Sequence, residues 1–112
     1  MSQKEEELVQ QLLEKTESKV IPWEPTAKEN QFVAPFRGNV TFTVLRYENE
    51  YGNAFHRLIM RDSEDREMFS LDTGENFVVR GNLEKLYKAA HDTALRVEET
   101  IEIVLDDLRK VS

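Results

Sequence analysis

Cysteine is absent from all 112 residues, which excludes disulfide staples, thiolate-bound zinc and a thiol nucleophile. Long apolar runs are absent too: the longest, such as Leu58-Ile59-Met60 and Phe77-Val78-Val79, stop after three residues, where a membrane-crossing helix needs about 20. Histidine is limited to His56 and His91, too few for the clusters that metal-dependent hydrolysis uses. The four glycines, at 38, 52, 74 and 81, are too widely spaced for a phosphate-cradling loop, and each is explained by a turn.

Positive charge is also in short supply. Fifteen Lys and Arg stand against twenty-two Asp and Glu, a formal charge of −7, which repels a phosphate backbone. The nearest approach to a basic cluster, Arg57, Arg61 and Arg66, is interrupted by Asp62, Glu64 and Asp65. The opening Met1-Ser2-Gln3-Lys4-Glu5-Glu6-Glu7 is acidic where a secretory signal would be basic and then apolar. These features predict a cytoplasmic protein that uses no cofactor and binds neither nucleic acid nor a membrane.

What is present is the composition of one globular domain over residues 1–112, 39% apolar and 33% charged. A compact chain of this length has a radius of gyration of about 13 Å. Residues 4–18 predict a helix with Leu8, Leu12, Val9 and Leu13 on its apolar side, acidic at its start and basic at its end. Having one apolar side, it should lie on a sheet, of its own chain or of a partner. Pro22 then ends the helix. Trp23, held between Pro22 and Pro25, is either a plug at the core's edge or an exposed anchor for a partner.

From 31 to 71 the period changes to that of strands. Phe32, Ala34 and Phe36 alternate with Gln31, Val33 and Pro35, and Arg37-Gly38-Asn39 reads as a turn. Val40 to Tyr47 is the clearest strand, with Val40, Phe42 and Val44 on one face. Glu48 to Asn53 and Arg61 to Asp65 read as hairpin loops between further strands at 55–60 and 67–71. Short connections favour an antiparallel meander, since parallel neighbours need long crossovers. Phe77-Val78-Val79 reads as a brief extended piece, and Asn82 as the cap of the next helix.

From 82 to 110 a helical period runs through Leu83, Leu86, Tyr87, Ala90, Ala94, Val97, Ile101, Val104, Leu105 and Leu108 with no proline or glycine after Gly81. As one straight helix it would be about 43 Å long, longer than the roughly 34 Å breadth of a compact body of this size. Either it breaks between Leu95 and Glu98, or its end projects and packs on a second copy. The predicted fold class is α+β: a three- to four-stranded antiparallel meander covered on one face by the first helix and by a long or kinked C-terminal helical segment.

Candidate chemistry is sparse. His91-Asp92 is a single His-Asp pair, and His56 reads as a solvent-face or sheet-edge residue. Carboxylates such as Glu98, Glu99, Glu102, Asp106 and Asp107 fall on helix turns rather than across a concave site. Ser63, Ser70, Thr73 and Tyr87 lack an activating base, and Asp62 to Asp65 lacks the spacing of a calcium loop. Tyr47, Tyr51, Phe55 and Phe69 could meet as an aromatic patch suited to packing or to protein recognition.

The order Leu12-Leu13, Glu14-Lys15-Thr16, Ile21-Pro22-Trp23, then Leu83, Leu86-Tyr87, Ala89-Ala90 and Val97-Glu98-Glu99 resembles a group of small uncharacterised bacterial and phage-borne proteins. In that group a basic stretch follows the Leu-Tyr turn; here His91 and Asp92 stand instead. The resemblance implies a bacterial cytoplasmic setting and no activity.

The residues together predict a noncatalytic module that binds protein, itself as a homodimer or another partner, with Trp23, Val97, Ile101, Val104, Leu105 and Leu108 as interface candidates. An acidic inhibitor or immunity-type protein masking a basic partner is the alternative that the charge suggests, and an enzyme of unrecognised type is a further one.

Overall fold

The computed structural model describes residues 3–37, 39–74 and 80–111. Helix α1 (Gln3–Glu17) has Glu5 and Glu6 in its first turn and Lys15 in its last, matching the helix dipole. Val9, Leu12, Leu13 and Thr16 are its buried positions, at the spacing that lines one helix face. It ends in a two-bond left-handed cap: the Val20 amide donates to the Lys15 carbonyl at 2.9 Å and the Lys19 amide to the Thr16 carbonyl at 3.0 Å, with Lys19 at φ 64°.

Among the described residues the sheet has five strands, β1 (Glu24–Pro25), β2 (Gln31–Phe36), β3 (Val40–Glu48), β4 (Ala54–Arg61) and β5 (Glu67–Asp72), side by side in chain order and all antiparallel. The expected meander is therefore present, with one strand more than the three or four read from the sequence. The addition is β1, which pairs Glu24 with Val33 and Pro25 with Phe32. Two residues are too few to display a period, and a proline is tolerated there because β1 is an edge. Pro35 lies past the end of β1, where β2 is itself an edge.

Register lines the core side chains into rows across the sheet. Phe32, Val44, Leu58 and Leu71 form one row and Ala34, Phe42, Met60 and Phe69 the next. Two hairpin loops are built alike. In each, one side-chain oxygen accepts two amides: Asn49 Oδ1 from Tyr51 and Asn53, and Asp62 Oδ1 from Glu64 and Arg66. In each the fourth residue is left-handed, Gly52 at φ 80° and Asp65 at φ 64°.

Helix α2 (Arg80–Ala94) lies on the row-bearing face, with Leu83, Leu86, Tyr87 and Ala90 buried against it. It starts two residues before Asn82, so Asn82 sits within the first turn rather than capping it. The expected turn at 37–39 includes Gly38, and the expected extended piece Phe77-Val78-Val79 falls wholly beyond the described residues. Helix α1 stacks chiefly on α2 rather than flat on the sheet, and a single apolar cluster joins both helices to the strands. Each large apolar side chain fully buried there contributes about 1.5–3 kcal/mol of transfer free energy. No helix among the described residues is long and apolar enough to cross a membrane.

Helix α3 (Val97–Lys110) takes no part in that cluster. It projects, and the radius of gyration is 15.8 Å with a long axis of 56 Å, well beyond the value of about 13 Å for a compact chain of this length.

Candidate protein-docking site

The helical period from Leu83 to Leu108 is interrupted at Leu95 and Arg96, inside the window where the length argument placed a break. Arg96 adopts the left-handed conformation, φ 53° and ψ 48°, and its amide donates to the Thr93 carbonyl at 3.2 Å, closing α2. A non-glycine residue in that conformation costs roughly 1 kcal/mol. The Arg96 carbonyl then accepts from the Thr100 amide at 3.0 Å, so the same residue opens α3.

Beyond the break, α3 has no buried residue. Val97, Ile101, Val104, Leu108 and Val111 recur at spacings of four, three, four and three, with Leu105 beside them. At 3.6 residues per turn they share an arc about 120° wide. Ile101 is 52% exposed, Leu105 43% and Leu108 61%, with Val104 between them. Val97, nearest the body, is half-buried. The opposite side carries Glu99, Asp106 and Lys110 around an exposed Ile103, with Lys110 paired to Asp106 at 3.0 Å.

A helix of 14 residues standing clear of its own core is marginal in water, because helices in proteins draw their stability mostly from a packed apolar face. An exposed ion pair at 2.7 Å joins Glu98 to Lys19, just past the end of α1. The ridge thus has the form of a docking surface.

Trp23 is not part of it. The indole is 3% exposed and donates from Nε1 to Thr16 Oγ1 at 2.9 Å, within the core cluster. Of the two roles its sequence allowed, it is the plug. The Trp23 amide donates to the Ile21 carbonyl at 3.1 Å across Pro22, and Ile21 and Trp23 are both buried, so the reading of Trp23 as an exposed anchor is corrected. The docking candidates that cluster are Val97, Ile101, Val104, Leu105 and Leu108.

The two histidines lie on the helix side of the sheet. His56 pairs with Arg46 in the β3–β4 register and packs on Tyr87 at 5.1 Å between ring centroids, so it is neither a solvent-face nor an edge residue. Its Nδ1 is buried with no hydrogen-bond partner among the described residues. Burial pushes its pKa down; Glu84 opposes this, and Arg46 and Arg80, each with a smaller effect than Glu84, add to the lowering. His91 Nδ1 lies 3.0 Å from Asp92 Oδ1, and its ring meets Phe32 edge-on at 5.6 Å. Among the described residues no three His, Asp or Glu side chains converge as metal ligands would.

On the helix-free face of the sheet, Asp72 gathers three partners. Its Oδ2 accepts from the Tyr47 hydroxyl at 2.5 Å and from Arg57 Nε at 3.1 Å, and its Oδ1 from the Gly74 amide at 2.7 Å. Arg57 also lies over the Tyr47 ring, 5.3 Å from its centroid. Burial pushes the Asp72 carboxyl up, but the hydrogen bonds from Tyr47, Gly74 and Arg57 outweigh it and hold its pKa below the usual carboxylate range. A Cβ at Gly74 would stand 3.1 Å from Asp72 Oδ1 and 3.3 Å from the Phe55 ring, so a side chain here would crowd both neighbours by a few tenths of an ångström. A carboxylate gripped this way stays ionised and ties three strands together.

The suggested aromatic patch does not form. Tyr47 and Phe55 pair at 5.6 Å on the helix-free face, Phe69 points to the core side, and Tyr51 stands exposed in a loop. Arg57, Arg61 and Arg66 each meet a carboxylate, of Asp72, Asp65 and Asp62 respectively, which cancels the one basic cluster the sequence offered. Comparison with known proteins leaves the ridge as the feature to interpret: no family model matches the chain, and no curated protein or solved structure is significantly similar to it.

Proposed function

We propose that the protein is a noncatalytic protein-binding module, a small α+β body that presents α3 as its docking arm. One observation supports this reading above all: four apolar side chains, Ile101, Val104, Leu105 and Leu108, stand exposed along one side of a helix that contributes nothing to its own core, with exposed Val111 just past its end. Scattered surface apolar residues are ordinary, but a continuous ridge on a projecting helix is the form that helix-in-groove and helix-helix recognition take.

The polar clusters are better explained without chemistry. Asp72 is saturated by donors, and the His91-Asp92 pair has no third ligand among the described residues. The experiment is affinity purification from the native cell with two baits, the unaltered chain and the Ile101→Glu, Leu108→Glu variant. A protein held by the first and lost by the second, whether a further copy of the chain or a different one, is the expected result. Identical sets of retained proteins would remove the docking role from α3.

A further inference from the structure

We propose that residues 80–110 have two states, the bent one with its break at Arg96 and a straight one in which α2 and α3 join into a single helix; this stands whether or not α3 docks a partner. Nothing in the local sequence encodes a helix end at the break. Neither proline nor glycine lies between Asn82 and Lys110, and the left-handed position that closes α2 is held by Arg96, where glycine is the usual residue. The same Arg96 stands at the N-cap of α3 and makes no side-chain bond there, where Ser, Thr, Asp or Asn is the usual choice. The apolar period meanwhile runs through the break in register, from Ala90 and Ala94 to Val97 and Ile101.

The backbone gains by straightening. In the bent state the Arg96 amide reaches back only three residues, to the Thr93 carbonyl, and the amides of Val97, Glu98 and Glu99 have no backbone acceptor among the described residues. Rotating Arg96 into the right-handed helical region removes the cost of its left-handed conformation. It also lets the amides of residues 96 to 99 reach the carbonyls of Asp92, Thr93, Ala94 and Leu95, four residues back.

Against this stands one contact between residues far apart in the chain. Glu98, two residues past the pivot, meets Lys19 at 2.7 Å, and Glu99 and Glu102 lie near enough to add to the attraction. Lys19 belongs to the body, while the three acids turn with α3. Packing offers little resistance to the movement: α3 has no buried residue, and a cleft of about 180 Å³ lined by Lys19, Asp92, Thr93, Arg96, Glu98 and Glu99 lies at the pivot. Lys19 is thus the latch of the bent state. An exposed pair changes an equilibrium by up to about fivefold, so neither state excludes the other, and the apolar ridge points in a different direction in each.

The test is pulsed electron spin resonance between nitroxides on Lys85→Cys and Asp107→Cys, both exposed positions and the only thiols in a chain without cysteine. The straight helix sets their backbones about 33 Å apart, and the bend brings them closer. The otherwise unaltered chain should show both distances, the shorter dominant. Lys19→Ala should move the ratio toward the longer by about two- to fivefold, and salt at about 1 M should do the same by screening the exposed pair. Arg96→Gly should move it the other way by about tenfold, glycine being at ease in the left-handed region and poor inside a helix. Amide exchange at Val97, Glu98 and Glu99 reads the same equilibrium, since these groups are bonded only in the straight state; it should slow in Lys19→Ala and quicken in Arg96→Gly. A single distance that no variant moves overturns the two states. A distribution that answers Arg96→Gly but neither Lys19→Ala nor salt overturns Lys19 as the latch.

Discussion

The hydroxyl of Thr16 accepts the indole N–H of Trp23 at 2.9 Å and donates its own proton to the Leu12 carbonyl at 2.7 Å. This relay fastens the segment after α1 to the helix that precedes it, and both residues are buried. Replacing Thr16 by Val keeps the shape but leaves a buried N–H without an acceptor. The expected cost is about 1–3 kcal/mol, and Trp23→Ala should cost about 3–5 kcal/mol through the cavity it opens. Urea unfolding followed by circular dichroism measures both.

Asp72 makes stability depend on acid. Its folded pKa lies below the unfolded one, so its contribution is fully present above the ordinary carboxylate range and is lost as pH falls through that range toward the folded value. Asp72→Asn should lower the urea midpoint at neutral pH and flatten the loss between about pH 5 and about pH 3. An unchanged slope in the variant would show that other carboxylates dominate acid unfolding.

His56 acts in the same direction at milder pH. Its folded pKa is depressed by burial, so the neutral ring stabilises the fold above the unfolded histidine value, and that contribution is lost as pH falls through it toward the folded one. His56→Phe should leave the midpoint near pH 8 within about 1 kcal/mol of the unaltered chain, as a shape-conserving swap that also removes an unpartnered nitrogen. It should also remove the decline just below about pH 6.5. Paired unfolding curves at the two pH values check this.

The matched hairpin loops supply their own control. Gly52 takes the left-handed position without strain, while Asp65 takes the same position with a side chain. Asp65→Gly should therefore raise stability by up to about 1 kcal/mol, less the entropy that glycine adds to the unfolded chain. Its partner Arg61 is 3.8 Å away across an exposed, weak pair. A midpoint that falls would mean this pair matters more than the backbone.

A chain ending at Leu95 should fold with the urea midpoint of the full chain, since α3 has no buried residue and touches the body chiefly through α2. A clear loss of stability would mean that α3 supports the body.

Most of this fold could be read from residue order. The alternation at Phe32, Ala34 and Phe36 and at Val40, Phe42 and Val44 places the very side chains that form the core rows, and the two polar loops fix the meander. The helix break and the apolar ridge were visible because a 3.6-residue period continued for longer than one body could cover. What escaped depends on contacts between distant residues. Strand β1 is too short to show a period, and Trp23 reads the same buried or exposed until Thr16 is seen beneath it. Tyr47, Arg57 and Asp72 sit on three different strands, brought together only by register, so no local spacing announces them. His56 reads as a solvent-face residue beside Phe55 and Arg57, but those neighbours face one way and it faces the other.

The left-handed turn at Arg96 has a further consequence. It divides the chain into a part whose side chains are constrained by one another and a part constrained only by whatever it meets. Substitutions before residue 95 must preserve a shared interior, so they are mostly filtered by folding. Those after it meet no such filter, because no side chain of α3 is buried in the body, so the tail can change its surface at little penalty to the rest of the molecule.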